Sequence, residues 1–426
     1  MFSSLVTRYS LLRKAFYTSD MGPEEAAFLD RVSADPDDDA PRLIFADWLD
    51  ERGDPRGEFI RVQVALARLP ADDPRAAGLK DREAILLARY HAHWSEPLKG
   101  VAGWTEFRRG FVETVNIETR TFLRRADDLF RLAPVRHVRL LDVGSSLPRL
   151  ADCPQLARLS ALTIYAQHID ERLTRVLAES PHLGGLRALN MGRNRIGDRG
   201  AERVAWSPRF RNLIDLDLSD NALGDTGVAA IAGSSNLARL ETLVLRRNEV
   251  TRVGLGHVCA SPALARLRHL GLALNYVGAP QEWNPPRAGT VALSSLDLCE
   301  NGLTEDGAGV IAALPGLGEL ARLNLGHNEI GNAGAAVLSR WTGTSNLRVL
   351  TLPANRIGDE GARALARSAY LPELTDLDLS ENPIHDPGAL ALFHTTSLPR
   401  LRRLGLPRLG LTPQTVRVLA RRFGGW

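Results

Sequence analysis

Only three cysteines occur in 426 residues, Cys153, Cys259 and Cys299, with no CxxC pair among them. That number and spacing supply neither a disulfide framework nor a zinc site, and they fit a reducing, cytoplasmic setting. No run of 18 apolar residues is present, so no membrane-spanning helix is expected. The opening MFSSLVTRYSLLRKAF is interrupted by Arg8 and Arg13 before a full hydrophobic region or small-residue cleavage site appears. We read residues 1–20 as a disordered extension ahead of a start at Met21. Lysine is nearly absent: Lys14, Lys80 and Lys99 leave 50 arginines among 53 basic residues, a usage that points to a GC-rich genome. Aromatic residues make up 6%. With 44% hydrophobic and 24% charged residues, the composition still excludes a disordered or collagen-like chain.

Signatures of chemistry are missing as well. There is no P-loop, GxSxG or HExxH. Gly307, Gly309 and Ala312 have dinucleotide-fingerprint spacing, but the strand they should follow ends near Cys299, and equivalent slots read DTGVAA, NAGAAV and DEGARA. Asp35, Asp37 and Asp39 stand at calcium-loop spacing, yet Ala40 and Ala46 occupy the positions that need Gly and Glu. His91 and His93 are two apart and cannot share a helix face. Cys259 and Cys299 read as small buried residues. We expect no metal, no cofactor and no enzyme.

What the chain has in excess is leucine, 68 residues, placed periodically. Segments such as LDLSDNALGDTGVA, LNLGHNEIGNAGAA and LTLPANRIGDEGAR recur. Asn194, Asn221, Asn248, Asn275, Asn301, Asn328, Asn355 and Asn382 follow one another at 27, 27, 27, 26, 27, 27 and 27 residues, each within LxxLxLxxNx(L/I/V). The frame extends upstream to Gln167 and downstream to Leu409. Weaker copies begin at Val112, Val115 and Ile117 and at Val135, Val138 and Leu140, which gives twelve strands.

Alternation in LxL puts two leucines on one face of a short strand. A single coil cannot bury them, whereas stacked coils merge them into a continuous core. Each Asn can donate and accept hydrogen bonds in the turn that leaves the strand, so the Asn set is structural. Asp198, Asp225, Asp306, Asp359 and Asp386 then stand where they can cap a helix beginning there. Small residues such as Ala229, Ala230, Ala335 and Ala336 let that helix lie close behind the sheet. The expected fold is α/β: a curved solenoid with a parallel sheet inside and helices outside. One unit departs, because Pro280, Pro285 and Pro286 forbid a regular helix after Asn275, and Trp283 there folds back or is exposed as an anchor.

Residues 21–100 carry 11 basic and 17 acidic groups, whereas residues 101–426 carry 39 and 32. The acidic segment reads as four helices. Phe28, Leu29 and Val32 stripe the first, which Pro36 ends. The second starts at Pro41, carries Leu43, Ile44, Phe45, Trp48 and Leu49, and stops at Gly53. Phe59, Ile60, Val62 and Leu66 belong to the third, and Ile85, Leu86, Leu87 and Tyr90 to a fourth near residues 84–94. Asp47, Asp50, Glu51 and Arg52 form a candidate docking surface.

The repeat resembles the ribonuclease-inhibitor-like class of leucine-rich repeats. The segment FLDRVSADPDDDAPRLIFADWLDERGDPRGEFIRVQ looks like the repeat-companion domain that precedes such repeats in planctomycete-type bacterial proteins. These resemblances imply a solenoid over residues 101–426 capped by a helical module over residues 21–100 in a bacterial cytosolic protein. They name no substrate.

Function is then expected on the concave face, where side chains between and after the strand leucines point outward. Four columns there hold eight acids and six arginines, too little positive charge for a nucleic-acid groove. Among residues two before the Asn, only Tyr165 and Arg246 are large. Asp215, Asp217 and Asp220 stand beside Arg246 and Arg247, then His269. Alternating patches suit a protein partner. We therefore expect a non-enzymatic scaffold or inhibitor that binds a protein through Tyr165, Asp215, Asp217, Arg246, Arg247 and His269. Regulation of an enzyme such as a GTPase, for which a eukaryotic family uses similar repeats, and a purely structural or envelope-associated role are the alternatives.

Overall fold

The computed structural model describes residues 22–70, 73–280, 284–286, 288–407 and 409–424. Residues 1–20 and Trp283 lie outside them. The chain divides into two compact units, one ending at Val143 and one starting at Gly144.

The first unit begins with four helices: α1 (Pro23–Ala34), α2 (Ala40–Asp50), α3 (Arg56–Arg68) and α4 (Arg75–Trp94). Helix α1 has Pro at its first position, Glu24 and Glu25 in the first turn and Arg31 in the last, each favourable to the helix dipole. Gly53 takes φ of +69° after α2, a conformation costly for other residues. Leu29, Val32, Phe45, Leu49, Ile60 and Val64 close a core together with Phe111. Two expectations fail. Ile44 and Ile85 are 53% and 57% exposed, because each falls on the solvent side of its helix. Helix α4 starts at Arg75, nine residues before Ala84: Asp73 accepts the Arg75 N–H at 2.9 Å and so provides an earlier start.

Strands β1 (Trp104–Arg108) and β2 (Phe111–Glu118) form an antiparallel hairpin, and helix α5 (Thr119–Leu132) leads to β3 (His137–Leu141), parallel to β2. The expected twelve strands do not include β1. Its turn is Arg109–Gly110, both with positive φ, the signature of a tight two-residue turn whose twist matches the strands. Glycine is required at position 110 twice over, because an added Cβ would meet Ile60 Cγ1 at 2.2 Å. The acidic loop Asp37–Asp39 grips this hairpin. Arg109 reaches Asp39 at 3.3 Å, Arg136 reaches Asp37 at 2.8 Å, and the fully buried Arg42 donates to Glu113 at 2.6 Å. The Asp37, Asp38 and Asp39 carboxylates thus serve arginines and a helix start.

The second unit, after the short helix α6 (Leu147–Ala151), is a stack of coils. Its strands are β4 (Ala161–Thr163), β5 (Ala188–Asn190), β6 (Asp215–Asp217), β7 (Thr242–Val244), β8 (His269–Gly271), β9 (Ser295–Asp297), β10 (Arg322–Asn324), β11 (Val349–Thr351), β12 (Asp376–Asp378) and β13 (Arg403–Gly405). All pair in parallel, and the central residue of each is a buried leucine, from Leu162 through Leu216 and Leu296 to Leu404, in one register. The opposite layer consists of α7 (Glu171–Glu179), α8 (Gly197–Trp206), α9 (Asp225–Ala232), α10 (Arg252–Cys259), α11 (Glu305–Ala312), α12 (Gly331–Arg340), α13 (Asp359–Ala366), α14 (Asp386–Phe393) and α15 (Pro413–Phe423). Strands pack about 4.8 Å apart and helices about 8–10 Å, so the strand side is the shorter arc of the stack. Between β8 and β9 the described residues contain no helix, as Pro280, Pro285 and Pro286 dictate.

Three side-chain ladders stitch the coils. The asparagines are all buried. Asn248 is typical: its Oδ1 accepts from Asn221 N and Leu223 N at 3.0 Å, and its Nδ2 donates to Leu218 O and Leu245 O at 3.0 Å. A second ladder lies after the helices, where Ser180, Ser207, Ser234 and Ser261 each donate to a carbonyl 29 residues back.

The third ladder corrects an expectation. The aspartates at the helix starts do not cap their own helices. Asp198 accepts from Gly224 N and Gly227 N at 2.7 and 3.0 Å, Asp225 from Thr251 N and Gly254 N, Asp359 from His385 N and Gly388 N, and Asp386 from Thr412 N, each in the next coil. Asn332 acts likewise on Gly358 and Gly361. The position lies four residues after the ladder Asn, so Asp306 is one residue out of register. The same position holds Arg252, Ala279 and Glu305 in three consecutive coils, and among the described residues none of them accepts such a bond.

Candidate functional site

The residue before each ladder position takes a left-handed conformation, with φ of 51° to 60° from Ala166 and Arg193 through Arg247 to Glu381. Only glycine adopts this region freely, and other residues lose about 1–2 kcal/mol. No glycine marks this column, so the conformation leaves no trace in the residue pattern. It turns Arg193, Asp220, Arg247 and Glu300 outward at the rim of the strand face. Two positions back, small residues keep the floor low: Gly192, Ser219, Ala273 and Gly326.

On that floor Tyr165 is 45% exposed, and its ring covers Gly192, where an added Cβ would stand 3.1 Å from the ring. The Arg193 guanidinium lies 6.0 Å from the Tyr165 ring centre and 3.6 Å from Asp220. Asp215 opens β6 and is exposed, paired across the sheet with Thr242, which pairs in turn with His269, also exposed. Asp215 and His269 are therefore two strand spacings apart, about 10 Å. Asp217 accepts from Asn190 Nδ2 at 2.8 Å and from Ser219 N at 2.9 Å, which fixes its carboxylate.

Arg246 and Arg247 are both exposed. Arg246 follows β7, the strand that pairs with the Asp215–Asp217 strand β6. Its charge acts on Cys299, two coils further on. Burial pushes the half-buried Cys299 thiol up, Asp297 and Glu300 add to the rise, and Arg246 opposes it. The face thus alternates: Tyr165 with Arg193, then an acidic group, then Arg246 and Arg247, then Asp297 and Glu300. Sequence reasoning passed over Arg193 and took Cys299 for a small buried residue, whereas Cys299 is half-buried. Ring stacking and charge over two coils are invisible in a period.

Five segments of this stack match the family model of the leucine rich repeat: residues 186–205, 211–232, 320–339, 345–366 and 371–393. These coils are leucine-rich repeats. No curated protein matches the chain. Leucine-rich repeats generally mediate protein–protein interaction and are typically non-enzymatic, and the strand face is where these repeats offer their variable side chains.

Elsewhere the candidate chemistry dissolves into packing. Cys259 is buried and its thiol is pushed up to about 12 by burial. His91 lies 3.2 Å from Thr105 O. Among the described residues no group of three His, Cys, Asp or Glu could hold a metal ion, and no helix is long and apolar enough to cross a membrane. On the surface considered on α2, Asp47 and Asp50 both pair with Arg61 at 2.5 Å and stay exposed, and Arg52 stacks 3.8 Å over the Trp48 ring.

Proposed function

We propose that this chain is a non-enzymatic cytoplasmic scaffold or inhibitor that binds a protein partner on the strand face of its repeats. The observation that carries the reading is the alternation of exposed charge over a floor of small residues, from Tyr165 and Asp215 to Arg246, Arg247 and His269. Charge arranged in this way selects partners and speeds encounter more than it adds affinity. The small floor lets a partner approach the backbone, and Tyr165 supplies an aromatic anchor of the kind enriched at interface hot spots. Residues 21–100 fit a companion module of planctomycete-type bacterial proteins ahead of a repeat region over residues 101–426, and the four helices α1–α4 agree with that organisation.

The test is capture from native lysate by the full chain, run beside the double variant Arg246→Glu, Arg247→Glu. A stoichiometric protein retained by the native chain and lost from the variant, at an unchanged melting temperature, supports the reading. Equal capture by both moves the binding surface off this face and refutes it.

A further inference from the structure

A cleft of about 780 Å³ opens on the helical side of the second unit, between α7 and α8. It is large enough for a small-molecule ligand. Nine of its twelve lining residues are charged, the exceptions being Val176, Ile196 and Gly197.

The four carboxylates in the wall are engaged. Asp170 accepts from Leu173 N at 2.8 Å and caps α7, and Asp198 serves the next coil through Gly224 and Gly227. Glu171 lies 3.9 Å from Arg199, and Glu179 pairs with Arg175 at 3.0 Å. Three arginines remain: Arg172 on α7, Arg195 in the turn before α8, and Arg203 on α8. All three are exposed, and among the described residues their side chains make no hydrogen bond or ion pair.

Three arginines from separate elements line this one cleft, and each guanidinium is a planar fork that matches phosphate oxygens. The repeat does not create this set. One coil further on, the equivalent positions are Arg199, Ala222 and Ala230; at the coil of Asn301 they are Asp306, Glu329 and Val337. The arginine usage of the chain as a whole does not explain a triplet that its neighbours lack.

We infer that this cleft binds a compact phosphate-bearing anion through Arg172, Arg195 and Arg203. The shared chemistry is a multiply charged phosphate group, carried by a free small molecule or by a phosphorylated segment of a partner. The site stands apart from the strand face.

The test is isothermal titration of the full chain at low salt with two probes, inorganic pyrophosphate and a short peptide carrying one phosphoserine. The chain is compared with Arg172→Gln, Arg195→Gln, Arg203→Gln, and with Arg209→Gln, Arg211→Gln outside the cleft. Because a hydrogen bond to a charged group contributes severalfold to tenfold or more, the triple change is expected to weaken binding by about 100-fold or more, and the control pair by less than about threefold. Affinity should fall as salt rises. Pyrophosphate binding alone identifies a free ligand, and phosphopeptide binding alone identifies a modified partner. If the triple variant melts lower than the native chain, Arg203→Gln alone is read, with an expected loss of about tenfold. No heat with either probe up to millimolar concentration, or equal binding by the cleft variants, overturns the inference. The Arg246→Glu, Arg247→Glu variant should bind pyrophosphate as the native chain does.

Discussion

Replacing Asn248 with alanine tests what the asparagine ladder contributes. The side chain is 5% exposed and serves five backbone groups, of which Arg246 O, at 3.4 Å, keeps Asp220 N at 2.8 Å. Leu245 O keeps a second donor, Asn275 Nδ2, at 2.9 Å. Asn221 N, Leu223 N and Leu218 O have no other partner among the described bonds, so three buried polar groups lose theirs. Each unsatisfied group costs about 1–3 kcal/mol, and partial relaxation with water entry places the sum at about 3–5 kcal/mol. The position lies inside the stack, so the effect is local first. Amides 221 and 223 should lose hydrogen-exchange protection by two to three orders of magnitude, on the order of the same energy, while amides on α13 keep theirs. Asn324→Ala is the control: its side chain is half-buried and accepts one bond, from Gly326 N at 3.0 Å, so about 1 kcal/mol is expected. The assay is urea denaturation with peptide-resolved exchange. A cost under about 1 kcal/mol for Asn248→Ala, or protection unchanged at 221 and 223, would refute the ladder as a source of stability.

Two further outcomes concern the first unit. Glu113→Ala leaves the Arg42 charge buried without its partner and should destabilise by about 3–5 kcal/mol in denaturant titration; the double change Arg42→Met, Glu113→Leu should recover most of that loss. His137 is held down to about 4 by burial, with Arg139 and Arg108 adding repulsion. The neutral ring is therefore the folded form, so the unfolded chain binds the proton first. Stability contributed by His137 is present above about pH 6.5 and is lost as pH falls from there toward 4, by at most about 3 kcal/mol and less in proportion to its partial exposure. His137→Gln should flatten this part of the melting temperature against pH, and an unchanged slope would contradict it.

The coil, the period and the strand leucines were legible because burial repeats with the sequence: the same residue types recur every 27 positions where the same environment recurs. The β1–β2 hairpin was not, since Arg109–Gly110 carries only half of the usual turn signal. The helix-start aspartates were found, but their partners were misassigned. A carboxylate at the first turn looks like a cap in one dimension, and its true acceptance geometry spans 26 to 29 residues. On the strand face, columns placed Asp215, Arg246 and His269 correctly on one surface.

The interruption of the carboxylate ladder at Arg252, Ala279 and Glu305 gives the stack a mechanical character. From Asp198 to Gly254, and again from Asn332 to Thr412, successive helices are tied to one another at their starts. Between those stretches, among the described residues, the helical layer has no such tie and no helix follows Asn275, while Asn248, Asn275 and Asn301 continue the strand-side ladder without a gap. One edge is stitched and the other is open, which is the construction of a hinge with its pin along the sheet. Under load the two stiff segments would change their angle here before either came apart.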